Sequence, residues 1–197
     1  WHVLSGKNPY DNNKTENKNG YVPNYIKVWH HAHQIGVTHG IPYPLYSPEG
    51  KQLWLEHKEK GNVDVVALAI DTLDFIQFFP LDLSLANNKI SYGVADAVSI
   101  IGFPYGVSSS GKKGKFPIWK TGNIASEPLI PIDDKECFYI DATTKKGMSG
   151  SPVLLRTFNY IEEGTNTYIM NGQINYRFLG VYSAQSSIME LGLVWLP

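Results

Sequence analysis

Gly147-Met148-Ser149-Gly150-Ser151-Pro152 runs straight into the apolar Val153-Leu154-Leu155, so a glycine-bracketed turn hands the chain to a strand. Glycine two positions before a serine permits a sharp turn in which successive backbone N–H groups converge. Glycine directly after it removes a side chain that would crowd a group bonded to the hydroxyl. Pro152 opens the following strand, where a missing N–H costs least. A serine held this way meets the backbone requirements of acyl transfer, an unencumbered hydroxyl beside N–H groups that can face an oxyanion. The string alone also fits a glycine-rich turn with no chemistry.

Working outward, short strand-like runs dominate: residues 63–70, 97–102, 118–125, 138–140, 152–155, 173–183 and 191–195. Each is rich in Val, Ile, Tyr or Phe and is bounded by Gly, Pro, Asn or Asp. With 18 Gly and 12 Pro spread along the chain, no long amphipathic helix fits between them. The pattern predicts an all-β protein, sandwich or barrel. Residues 6–24 and 105–116 read as loops, the second mobile. Ser47-Pro48-Glu49-Gly50 reads as a tight turn, residues 162–166 as the turn of a hairpin, and residues 80–92 as a connection between two lobes. The aromatic residues, five Trp among them, are expected in the lobe cores.

The 197 residues suffice for one domain with a sizeable core or for two small lobes. A formal net charge of -1 gives no electrostatic reason to expect nucleic acid as a partner. No apolar run approaches the ~20 residues that span a bilayer, so no membrane span is expected. Cys137 is the only cysteine, which excludes an intrachain disulfide and leaves packing to hold the fold. The chain opens on Trp1-His2-Val3-Leu4 without Met or a signal-peptide layout. It therefore looks clipped, and residues upstream of Trp1 are expected in the native protein. Compartment, bacterial cytoplasm or periplasm, stays open.

The Ser149 segment resembles the Gly-x-Ser-Gly-Gly-Pro signature of trypsin-like (chymotrypsin-fold) serine peptidases, in the variant of bacterial HtrA/DegP-like enzymes. Two further motifs stand in the histidine, aspartate, serine order of that family. Trp1-His2-Val3-Leu4-Ser5-Gly6 is similar to the segment around its general base. Asn62-Val63-Asp64-Val65-Val66-Ala67-Leu68 is similar to the strand carrying its orienting acid. Between and after them, Ile101-Gly102-Phe103-Pro104-Tyr105-Gly106, Thr121-Gly122-Asn123-Ile124-Ala125-Ser126 and Phe178-Leu179-Gly180-Val181-Tyr182-Ser183 resemble further family segments.

The resemblance implies a serine endopeptidase with the triad His2, Asp64 and Ser149. His2 would take the Ser149 proton as the hydroxyl attacks a peptide carbonyl. Asp64 would accept the other ring N–H, and the N–H groups of Gly147 and Ser149 would form the oxyanion hole. Asp64 has an argument of its own, since a carboxylate inside an apolar strand needs a partner. Asp96 and Asp141 compete for the role but neither precedes a Val-Val-Ala-Leu strand. By the same resemblance Thr143 lies at the base of the pocket before the scissile bond, Tyr182, Ser183 and Ala184 along a wall, and Gly192 at the back. None is acidic, which implies a small or modestly apolar residue there. Ser183 is also implied as a partner of the Asp64 carboxylate.

Other signals carry less. Gly106-Val107-Ser108-Ser109-Ser110-Gly111-Lys112 spells most of a phosphate-binding loop, but Lys113 stands where the magnesium ligand belongs. His30, His31, His33 and His39 cluster without a Cys or a His-Glu-x-x-His pattern, and read as surface histidines, not metal ligands. Asn13-Lys14-Thr15 fits a glycosylation acceptor in a secreted eukaryotic protein only. No cofactor or metal is expected.

The fold expected is thus two antiparallel β-barrels of the chymotrypsin type with the active site in the cleft between lobes, the first barrel incomplete at its N-terminus. Residues 1–80 would form the lobe carrying His2 and Asp64, residues 81–92 the connection, and residues 93–197 the lobe carrying Ser149 and the specificity pocket. The partner implied is a polypeptide substrate. The alternative is a catalytically inactive peptide-binding module of the same fold; oligomeric state is left open.

Overall fold

The computed structural model describes residues 2–8, 11–15, 22–34, 36–58, 63–111, 114–185 and 190–197. Trp1 and Asn62, quoted in two of the motifs, lie outside them. The chain is all-β, and the one α-helix among the described residues is a single turn, α1 (His2–Ser5). No described helix is long and apolar enough to cross a membrane. Two compact units emerge: Trp1–Pro80 with Ser109–Phe116, and Leu81–Ser108 with Pro117–Pro197.

Among the described residues the strands before residue 80 are β1 (Lys7–Asn8), β2 (Asp11–Thr15), β3 (Tyr25–Ala32), β4 (Thr38–Pro44), β5 (Trp54–Glu56), β6 (Val66–Leu68) and β7 (Ile76–Gln77). The others are β8 (Ala97–Gly102), β9 (Ser109–Gly111), β10 (Gly114–Phe116), β11 (Ile118–Ile124), β12 (Cys137–Asp141), β13 (Pro152–Thr157), β14 (Tyr160–Ile161), β15 (Tyr168–Ile169), β16 (Asn175–Gln185) and β17 (Gly192–Trp195).

In the first unit the described strands form separate ladders: β4-β3-β7, β5-β6, β1-β2 and β10-β9. Strand β3 is paired with β4 from Tyr25 opposite Pro44 to His31 opposite Thr38. A small core of Leu4, Leu45 and Trp54 is flanked by Ile26, Tyr46, Val66 and Leu68. Tyr46 meets Trp54 edge to face, and the Trp54 indole N–H donates to Glu56 Oε1. The turn before β5 forms as its residues dictate, with the Gly50 N–H donating to the Ser47 carbonyl and Ser47 Oγ to Glu49 Oε2.

The second unit is a closed six-strand antiparallel barrel in the order β11-β12-β17-β16-β13-β8. Its interior is lined by alternate residues of these strands, including Val98, Ile100, Ile124, Phe138, Ile140, Val153, Leu155 and Val194. Burial of such side chains stabilises by about 1.5–3 kcal/mol each, and the register shifts at Val153/Leu154 and at Tyr182/Ala184. Cys137 sits buried on β12, and burial pushes its thiol pKa up.

Several expectations need correction. The segment 6–24 holds the two-stranded ladder β1-β2, and 105–116 contains the hairpin β9-β10. Both segments are polar in sequence and offer no apolar alternation to read. The strand expected over 63–70 is reduced to Val66–Leu68, so Asp64 lies just before β6 and not within it. Only three residues of β5 are there to pair with it. Of the tryptophans described, Trp54 and Trp195 are in cores, but Trp29 and Trp119 are more than half exposed. Lys27 and Lys115 both lie over the Trp29 ring, a solvated use of an aromatic face. His30 is buried, not a surface residue: its Nε2 meets Tyr43 Oη at 3.1 Å, and burial lowers its pKa. His31 lies on β3 and His33 just beyond its end at Ala32.

Candidate active site

His2 and Asp64 meet in the first unit. The ring Nδ1 of His2 lies 2.7 Å from Asp64 Oδ2, and the backbone N–H of His2 donates to Asp64 Oδ1 at 3.0 Å. Local structure explains why both are held. Helix α1 closes with the Gly6 N–H on the His2 carbonyl, and Leu4 is anchored in the core with Trp54 and Val66. Asp64 stands two residues before Val66, the first residue of β6. The side chains are 16% and 11% exposed, so the pair is largely withdrawn from water.

Burial alone would push the Asp64 pKa up, but the hydrogen bonds and charge of His2, together with the N-terminal ammonium, outweigh it and hold the carboxyl below its ordinary value. An ionised carboxylate can only accept. Nδ1 of His2 therefore carries the proton in this bond, which leaves Nε2 of the neutral ring with the basic lone pair.

The second unit carries the Ser149 turn at one end of the barrel. Met148 is fully buried in the barrel core and so plugs the turn into the packing. The turn's own bonds run from the Met148 N–H to the Lys145 carbonyl and from the Ser151 N–H to the Met148 carbonyl. Gly147 has φ +92, and a Cβ there would stand 2.7 Å from the Phe103 carbonyl oxygen. The Tyr105 N–H donates to the Lys146 carbonyl at 2.6 Å, so the residues 103–105 brace the turn from outside. Among the described residues, neither the Gly147 nor the Ser149 N–H donates to a backbone carbonyl.

Strand β16 runs beside this turn. The Gly150 N–H donates to the Tyr182 carbonyl at 2.8 Å, and the Tyr182 N–H to the Ser151 carbonyl at 2.9 Å. Ser149 Oγ donates to the Ser183 carbonyl at 2.6 Å. The Ser183 side chain is buried and accepts from the Trp195 indole N–H at 3.0 Å. Its own hydroxyl proton is thereby left to give.

Of the other expected pocket residues, Thr143 is exposed, Ala184 half-buried and Gly192 buried. Tyr182 is buried, with its phenol oxygen hydrogen-bonded to the hydroxyl of Thr144. The competing carboxylates are exposed, and Asp96 accepts from the Gly93 N–H within a turn. Each half of the expected constellation thus forms inside its own unit: His2 with Asp64 in the first, Gly147, Ser149, Tyr182 and Ser183 together in the second.

Sequence reading missed Thr144, Trp195 and the 103–105 brace. Thr143 and Thr144 are adjacent and chemically identical, so only the direction of the chain at that point separates the exposed one from the buried one. No group of three metal-ligating side chains exists among the described residues. The ring nitrogens of His33 face Gln77 Oε1 and the Asp74 carbonyl, and Nε2 of His31 faces the Lys115 carbonyl. Comparison of the chain with protein-family models, with curated proteins and with solved structures gives no match.

Proposed function

We propose that this chain is the peptidase domain of a trypsin-like serine endopeptidase, with His2 as base, Asp64 as its orienting acid and Ser149 as nucleophile. The observation that carries the reading is the double hydrogen bond between His2 and Asp64, 62 residues apart. The resemblance assigns these two residues to one catalytic dyad, and a histidine so held keeps Nε2 available as a base. The barrel bearing the Ser149 turn fits the second lobe of such a domain. In this reading the first unit is the counterpart lobe, and substrate lies in a cleft between the two.

In the reaction, the Ser149 proton leaves the Ser183 carbonyl and passes to Nε2 of His2 as Oγ bonds to the peptide carbonyl carbon. The carbonyl oxygen takes the negative charge opposite the Gly147 and Ser149 N–H groups. The imidazolium then gives its proton to the departing amine. Water enters, loses a proton to the same nitrogen and releases the acid, and Ser149 regains its hydroxyl proton.

A second reading has one observation in its favour. The Ser149 hydroxyl is engaged by the Ser183 carbonyl, as in a serine that serves the turn and not turnover. A peptide-binding module of the same fold would keep that bond. Hydrolysis of unstructured polypeptide such as casein decides between them. The peptidase reading expects cleavage abolished in Ser149→Ala and His2→Ala, and cleavage indifferent to both changes would refute it.

A further inference from the structure

We infer that Trp195 is a positioning residue for the nucleophile: acting through Ser183, its indole N–H keeps the Ser149 hydroxyl latched on the Ser183 carbonyl and so restrains its attack. This rests on the peptidase reading and adds to it a restraint on the same serine. Strand β16 carries one residue too many for β17 at this point. Tyr182 faces Val194 and Ala184 faces Leu193, so Ser183 stands opposite no residue of β17. The extra residue of a bulge is left out of the pairing that fixes its neighbours, and can turn its groups elsewhere. Here the Ser183 carbonyl accepts the Ser149 hydroxyl at 2.6 Å.

A residue outside the ladder needs another anchor, and Trp195 supplies it. Trp195 stands opposite Val181, two residues short of Ser183, a diagonal that an aromatic side chain can span. Its indole N–H donates to Ser183 Oγ at 3.0 Å, and the two residues are 4% and 2% exposed. The indole is fixed at its base as well. Gly180 has φ +145, and a Cβ there would run into the Trp195 carbonyl, so β16 and β17 approach closely just before the bulge. The Gly150–Tyr182 and Tyr182–Ser151 hydrogen bonds tie the residue before Ser183 to the Ser149 turn. Ser183 itself is oriented by the indole, and its orientation aims the carbonyl at Ser149. A peptide carbonyl is no base at neutral pH, so the hydroxyl must leave it before its proton can be taken. An interaction made in the resting state and given up in the transition state slows the reaction by its net worth.

The test is the rate at which a small fluorophosphonate labels Ser149 in the full chain, followed to saturation so that maximal rate and reagent affinity separate. Trp195→Phe keeps a ring and removes the donor. It should raise the maximal rate about 2- to 10-fold, the worth of one hydrogen bond, with the half-saturating concentration unchanged. Trp195→Leu, which also lacks the donor, should show the same rise. In a Ser183→Ala background the indole has no hydroxyl to hold, so Trp195→Phe should change the rate no further. Trp119→Phe alters an exposed indole of the same barrel and should label as wild type does. A merely structural Trp195 gives the opposite sign, since a loosened barrel melts earlier and labels more slowly. The inference is overturned if whichever of Trp195→Phe and Trp195→Leu folds labels no faster than wild type. It is overturned equally if Trp195→Phe has its full effect without the Ser183 hydroxyl. An adduct on wild-type Ser149 that these variants do not accelerate sinks the latch alone, whereas no adduct sinks the peptidase reading with it.

Discussion

Asp64 grips His2 at two points, taking the ring Nδ1–H on one carboxylate oxygen and the backbone N–H on the other. A single contact would set the ring's position, but two set its orientation as well. The same contacts hold the Asp64 pKa down against burial. A group whose pKa is lower folded than unfolded contributes stability above its unfolded value, and that contribution is lost as pH falls through the folded value. In His2→Ala the imidazole's hydrogen bond and charge are lost, while the backbone N–H of residue 2 still donates to Asp64 Oδ1. The Asp64 carboxyl is then expected to titrate higher than in wild type, so that the stability it contributes above its unfolded value shrinks. Carbon-detected NMR titration of the Asp64 carboxyl reads the shift, and an unchanged midpoint in the variant would contradict it.

Asp64→Asn tests orientation separately from charge. The amide can turn its NH2 toward Nδ1, which moves the ring proton to Nε2 and removes the base. Turnover is expected to fall about 10⁴-fold with little loss of substrate binding, so that kcat falls and KM holds. Equal loss in both would argue for a structural role only.

Gly147→Ala confronts both a positive φ and the Phe103 carbonyl oxygen at 2.7 Å from the new Cβ. Strain of this kind costs about 1–3 kcal/mol, and the brace from residues 103–105 must give way. The variant should melt earlier than wild type and lose labelling at Ser149. Wild-type melting together with wild-type labelling would show that this turn tolerates what its geometry forbids.

His30 supplies a pH test in the first unit. Burial lowers its pKa, so the neutral ring is favoured when folded, and stability present above its ordinary value of 6.5 is lost as pH falls below it. His30→Phe should flatten the stability profile of the first unit as pH falls below 6.5, as followed by amide exchange. A profile as steep as wild type would place the sensitivity elsewhere.

Legibility differed sharply along the chain. The barrel strands were readable because each is packed on its inner face: residues 97–102 form β8 to the residue, and 118–125 and 191–195 miss β11 and β17 by one residue at one end. Strand β3 escaped, since Lys27, Trp29 and His31 stand on its solvated side and blur the alternation. Asp64 is legible through the motif around it and its apolar neighbours, which agree with its burial but not with its place just before β6. Ser149 was legible through its glycines. The Tyr182–Thr144 contact was not, because no local pattern connects residues 38 apart.

The measurement closest to the central claim is the mass of the protein after exposure to a fluorophosphonate, with the adduct mapped by peptide sequencing. The account predicts one adduct, on Ser149, absent in Ser149→Ala and strongly reduced in His2→Ala and Asp64→Asn. No adduct on the folded protein, or one that persists undiminished in Ser149→Ala, would contradict it.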